Sequence, residues 1–231
     1  PGDTLSELAV QFDLNMGTLI SFNRISDVRR MEGGDTYRIP NRDCILYTVR
    51  RGDSLSEIAA RHDTTVNGIL DANDLASSTI RVNQTLFVPG AEMDPVEVKL
   101  ILGELFAYPA QGRYTSGFGM RDDPFTGVRR FHNGIDIANE VGTPVTAAMG
   151  GTVAHVGNQL GNYGKFLIMK HPKGYQTLYA HLHSVEVSKG TYLSQGERLG
   201  TLGNTGRSTG PHVHFSIIEN GSFVDPLDYL R

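Results

Sequence analysis

Apolar positions near the start of the chain recur at helical spacing: Leu5, Leu8, Ala9 and Phe12 follow Thr4-x-x-Glu7. The arrangement returns as Leu55, Ile58 and Ala59 behind Ser54-x-x-Glu57. Ser or Thr followed three residues later by Glu predicts a capping box: the hydroxyl accepts from a first-turn N–H, and the Glu reaches back to the cap. Val66, Ile69 and Leu70 fall on one face of a second short helix, while Tyr47-Thr-Val49 and Leu86-Phe-Val88 alternate like strands. The predicted unit is strand–helix–helix–strand, about 45 residues long. Beyond residue 105 the pattern changes to short β-branched runs separated by glycine, which predicts many strands joined by tight turns. Unbroken apolar runs are a few residues long, as at 166–169, so no bilayer-spanning helix is predicted.

The helical part repeats itself. Pro1-Gly-Asp-Thr-Leu-Ser-Glu-Leu-Ala9 aligns with Arg51-Gly-Asp-Ser-Leu-Ser-Glu-Ile-Ala59 at an offset of 50, Asp13 with Asp63, and Asn23 with Asn73. Tyr37-Arg-Ile-Pro40 aligns with Leu86-Phe-Val-Pro89 at an offset of 49. So many matched positions make a tandem module. Composition divides the chain in the same sense. Residues 1–105 hold 10 Lys and Arg against 16 Asp and Glu, residues 106–231 hold 11 against 9, and glycine rises from 8 to 19. The proline and acidic residues near 90–97 suit a linker. The expected organisation is an α+β multidomain chain: module 1 at 1–42, module 2 at 46–90, a linker at 91–105 and a C-terminal domain at 106–231. A net charge of −4 argues against binding nucleic acid by phosphate neutralisation. Cys44 is the single cysteine, which excludes a disulfide scaffold. The chain opens at Pro1 rather than Met, from which a removed preceding segment is expected.

Gly52-Asp-Ser-Leu55, Ile58-Ala59, Asn73 and Pro89 make the repeat resemble LysM, a βααβ domain that grips N-acetylglucosamine-containing glycans such as peptidoglycan and chitin. The resemblance is fuller in the second copy. The first lacks the leading strand, and its stretch 23–35 is longer and more charged. By resemblance, the loops at 52–55 and 74–78 form the sugar-facing edge.

Seven of the eight histidines follow residue 130, in Phe131-His-Asn-Gly-Ile-Asp136, Tyr179-Ala-His-Leu-His183 and Pro211-His-Val-His-Phe215, with His155 and His171 between. Residues i and i+2 of a strand face one side, so His212 and His214 are expected to share a pocket. His181 and His183 have the same spacing, and periodicity does not choose between the pairs. His132 and Asp136, four apart around Gly134, predict an extended or bulged backbone. Two imidazoles and a carboxylate suit Zn2+ and leave a coordination position open for water.

These motifs, with Ser116-Gly-Phe-Gly-Met-Arg121, Asp123-Pro-Phe-Thr-Gly127, Gly142-Thr-Pro-Val145, Gly203-Asn-Thr-Gly-Arg-Ser-Thr-Gly210 and Val224-Asp-Pro-Leu227, resemble the M23 peptidases. That family comprises the LytM/lysostaphin-type zinc metalloendopeptidases of bacterial cell walls. The resemblance runs from about 108 to 231 and implies a mainly antiparallel β domain. It implies Zn2+ ligands at His132, Asp136 and His214, and catalytic histidines at His181 and His212. His183 stands where relatives often have Ser and is expected to be non-essential; His62, His155 and His171 are expected at the surface. The glycines at 161–164 and 203–210 suit loops that wall a groove, or simple hairpin turns. The implied function is hydrolysis of peptide stems or crosslinks in peptidoglycan, at the periplasm or cell surface, with LysM holding the glycan. Rival readings are a non-catalytic activator of a cell-wall amidase and a glycan-binding scaffold.

Overall fold

Thr4 and Glu7 close the expected capping box: Thr4 Oγ1 accepts from the Glu7 N–H, and Glu7 Oε2 accepts from the Thr4 N–H at 2.7 Å. Helix α1 (Leu5–Gln11) starts there in this computed structural model, which describes residues 4–159 and 163–230. Asn15 caps α2 (Met16–Phe22), and Leu5, Ala9, Leu19 and Ile20 form one buried cluster. The second copy has all four elements. They are β1 (Cys44–Thr48), α3 (Leu55–Arg61) behind the Ser54–Glu57 capping box, α4 (Val66–Ala72) capped by Thr65, and β2 (Thr85–Pro89). β1 and β2 pair antiparallel, Ile45 opposite Val88 and Tyr47 opposite Leu86, and share a core with Leu55, Ile58 and Ile69.

The repeated asparagine is a structural clamp. Asn73 donates from Nδ2 to the Phe87 carbonyl at 2.7 Å, and its Oδ1 accepts from the Phe87 N–H at 2.8 Å, so one side chain ties α4 to β2. Asn23 does the same to Arg38, at 2.9 and 2.7 Å. Residues 37–40 were expected to close the first copy as a strand, and they form none: no ladder partner stands beside them among the described residues, and Asn23 takes up the N–H and C=O of Arg38. Asn73→Ala is expected to lower the stability of the second copy by about 1–3 kcal/mol, because it orphans a backbone N–H and C=O together. Urea unfolding followed by hydrogen exchange at Phe87 checks it.

Residues 91–105, expected as a linker, contain helix α5 (Pro95–Ile101). The signals read as linker also start a helix: Asp94 accepts from the Val96 N–H as the cap, and Pro95 fills the first turn. Met93, Val98, Ile101 and Leu102 then pack on the cluster of the first copy. Residues 1–102 and 103–231 form separate compact units. No helix among the described residues is long and apolar enough to cross a membrane.

The second unit is built from β3 (Arg113–Ser116), β4 (Gly119–Asp122), β5 (Arg129–His132), β6 (Ile135–Ala138), β7 (Pro144–Thr146), β8 (Gly151–Gln159) and β9 (Gly164–Lys170). There follow β10 (Tyr175–Leu182), β11 (Ser184–Val185), β12 (Tyr192–Leu193), β13 (Arg198–Thr201), β14 (His212–Glu219) and β15 (Ser222–Val224). The main sheet is antiparallel throughout, in the order β12-β8-β9-β10-β14-β6-β3, with β15 also on β14. β4 and β5 form a hairpin of their own, and β11, β13 and β7 a small second sheet. Leu167, Met169, Tyr179, Val213, Phe215 and Ile217 are fully buried along the three central strands.

His171, expected at the surface, is buried. Its Nδ1 donates to the Gly150 carbonyl at 2.9 Å, and its Nε2 lies 2.7 Å from Thr177 Oγ1, which is 3.1 Å from the Tyr179 hydroxyl. His62 is half-buried against Tyr47, whereas His155 is exposed as expected. Burial pushes the His171 imidazole below its ordinary range. The unfolded chain therefore binds the proton more readily. Stability from this group is complete above about pH 6.5 and is lost as pH falls toward the folded value. His171→Gln is expected to flatten the acid-side slope of unfolding free energy, measured by urea titration between pH 7 and 5.

Candidate metal centre

Two adjacent strands and a turn bring the motifs together. His212 and His214 share a face of β14, and β6 sets Asp136 directly opposite His214. His132 ends β5, and Asn133 and Gly134 carry the chain into β6. A Cβ on Gly134 would meet the Phe215 carbonyl and His214 Cε1, so the turn lies beneath His214 only with glycine there. His132, Asp136 and His214 are all buried.

Their hydrogen-bond partners assign the protons. His132 Nδ1 is 2.6 Å from the Gly117 carbonyl and must donate to it, which leaves Nε2 bare. His214 Nε2 faces Asn133 Oδ1 at 3.1 Å and Ser216 Oγ at 3.0 Å, which leaves Nδ1 bare. Asp136 Oδ2 faces Arg121 at 3.4 Å, turning Oδ1 inward. Burial, against the pull of Asp136, pushes the His214 imidazole below its ordinary range. The three inward atoms are 2.9 Å (His132 Nε2 to His214 Nδ1), 3.2 Å (His132 Nε2 to Asp136 Oδ1) and 3.0 Å (His214 Nδ1 to Asp136 Oδ1) apart. Three lone pairs converge with no proton among them, an arrangement that repels itself unless a cation sits at its centre. Among the described residues this is the group able to hold a metal ion.

His181 and His212 stand beside it, with ring centroids 4.7 Å apart. His181 Nδ1 donates to the Thr205 carbonyl and His212 Nδ1 to the Gly210 carbonyl, each at 2.8 Å, so both present a bare Nε2. Burial, with His212 alongside, pushes His181 down to about 4. His183, which strict alternation set on the same face as His181, is exposed and away from this cluster. The reason is local. The ladder slips between Tyr179 and Leu182, and His181 itself has φ 61°, a bulge that turns its ring inward.

The cluster opens into a groove of about 400 Å3. Arg207, Ser208 and Thr209, from the loop expected as a wall, line one side of it; Gly161 lies outside the described residues. Asp123 and Phe125, from the β4–β5 hairpin, reach across to Arg207: its guanidinium is 2.8 Å from Asp123 Oδ1 and 4.7 Å from the Phe125 ring centre. Sequence reasoning missed Arg121, Asn133 and Tyr163. The first two lie inside motifs it had singled out; Tyr163, stacked on His214 and lining the groove, carried no signal beyond its glycine neighbours.

The model of peptidase family M23 matches residues 130–226, and that of the LysM domain matches residues 1–29 and 47–89. The DD-carboxypeptidase/endopeptidase Mpg of Neisseria meningitidis is 42% identical over 115 residues, 50% of this chain and 26% of that protein. The chain thus spans about a quarter of the length of such curated relatives. The Pseudomonas aeruginosa lipoprotein NlpD/LppB homolog is 29% identical over 230 residues, covering 99% of this chain and 74% of that protein. The Escherichia coli lipoprotein YgeR is 31% identical over 210 residues, 80% of each chain. A likeness that runs through repeat and β domain alike, together with both domain models, makes this chain a member of peptidase family M23 that carries LysM domains ahead of its peptidase domain.

Proposed function

We propose that the protein is a zinc-dependent endopeptidase that hydrolyses peptide stems or crosslinks of bacterial peptidoglycan, held on N-acetylglucosamine glycan by its LysM modules. The observation that carries the reading is the triangle of bare His132 Nε2, His214 Nδ1 and Asp136 Oδ1. Ligands about 2.0–2.1 Å from a tetrahedral Zn2+ stand roughly 3.4 Å apart, close to the edges of this triangle. Zn2+ supplies Lewis acidity, acidifying a water and polarising a peptide carbonyl. His181 and His212 each offer Nε2 to the groove: one takes and returns the proton of the attacking water, and the other, once its Nε2 is protonated, donates to the developing oxyanion. The Asp123–Arg207 contact holds the two groove walls at a fixed spacing, which suits a slim peptide. The lipoprotein names of two similar proteins support a place in the bacterial envelope, periplasmic or at the cell surface.

A second reading, a non-catalytic activator of a cell-wall amidase or a glycan-binding scaffold, draws on the likeness to the NlpD/LppB homolog along nearly the whole chain. The presence of all five residues, His132, Asp136, His181, His212 and His214, weighs against it. Zinc content and mass spectrometry of muropeptides released from purified sacculi test the proposal. About one zinc per chain with released, newly cleaved peptides supports the enzyme; intact crosslinks would leave the activator.

A further inference from the structure

We infer that Asn133 is a positioning residue that aims the Tyr163 hydroxyl proton into the groove, where the phenol donates to the peptide oxygen on which charge develops. The inference rests on the metal-centre reading above. With Nδ1 of His214 kept for the metal, its ring proton is on Nε2, and of the two ends of the Asn133 amide only the oxygen, at 3.1 Å, can accept from it. That fixes the amide: its Nδ2 faces the Tyr163 hydroxyl oxygen at 2.9 Å and donates. An amide nitrogen has no lone pair to offer, so the phenolic proton cannot point back at Asn133. The Tyr163 ring stacks on His214, centroids 5.8 Å apart and planes 28° apart, and lines the groove. Donation therefore runs one way, from His214 through Asn133 to Tyr163 and out to the substrate. Ser216 Oγ, 3.0 Å from the same His214 nitrogen, secures the ligand's proton independently. Asn133 is thus separable from metal binding.

Asn133→Asp reverses the last link. A carboxylate still accepts from His214 but also accepts the Tyr163 proton, turning it away from the groove. Zinc affinity, read by competition with a chelator, is expected to stay within about tenfold of wild type, since outer partners of a metal-binding histidine change affinity by about 10–100-fold when lost and here one is kept. Affinity of the zinc-loaded protein for a phosphinic peptide, whose tetrahedral anion resembles the developing charge, is expected to fall about 10²-fold, as in Tyr163→Phe. In a Tyr163→Phe background Asn133→Asp should cost little more, whereas simple repulsion by the new carboxylate would cost the same in both backgrounds. Equal cost in both backgrounds, no cost, or a zinc affinity that collapses with Asn133→Asp would each overturn the inference. Wild-type protein that binds zinc and the phosphinic peptide without releasing muropeptides sinks only the hydrolase reading. Wild-type protein that binds no zinc sinks both.

Discussion

His181→Ala and His212→Ala are each expected to keep about one zinc per chain while turnover of crosslinked peptidoglycan falls by about 10²–10⁴-fold, the range for losing a general acid–base group or an oxyanion partner. Neither ring belongs to the triangle of bare ligand atoms, and each is anchored through Nδ1 to a backbone carbonyl, so its loss leaves the other three side chains supported. The two variants should differ in one respect. His212 Nε2 is 3.7 Å from Asp136 Oδ1 and its residue adjoins the strand position of His214, so His212→Ala should loosen zinc slightly. His181 enters from β10 and should leave zinc affinity unchanged. His183→Ala is the control: two residues from His181, exposed, and outside the groove. Atomic absorption and muropeptide release measured on all three variants decide the matter. Wild-type turnover in His181→Ala would refute the two-histidine mechanism whatever the zinc content.

How much of this was legible in the sequence depended on whether the signal was local. Both capping boxes, the βααβ order of the second copy and the shared face of His212 and His214 follow from spacing within a few residues, and the structure repeats them. Asn23 and Asn73 were visible as a repeat, but their role was not, because each clamps a segment 14 or 15 residues away. The failures share a cause. A strand needs a partner, which residues 37–40 lack among the described residues; alternation needs an unbroken ladder, which the bulge at His181 interrupts. The helix at Pro95–Ile101 was hidden because Asp-Pro serves equally to end one element and to begin another. His171 looked like any polar surface residue, since only the tertiary fold supplies the Gly150 carbonyl and Thr177 hydroxyl that satisfy it.

Removal of a ligand is expected to have the larger effect, and it can be read without any substrate. His132→Ala, Asp136→Ala and His214→Ala should each lose most of the bound zinc after dialysis and lower turnover beyond the roughly 10⁴-fold reached by the histidine variants, since two donors and water hold Zn2+ poorly. Metal that binds only the folded state stabilises it by about 4 kcal/mol at 1,000 times its Kd. A chelator should therefore lower the thermal midpoint of the wild-type peptidase domain. A ligand variant has no metal to lose, so chelator should scarcely move its midpoint. The metal-free wild type and His132→Ala are expected to unfold within a few degrees of each other, far below the zinc-loaded protein. If His132→Ala kept its zinc and its chelator sensitivity while His183→Ala lost both, the ligand set would have to be redrawn around β10.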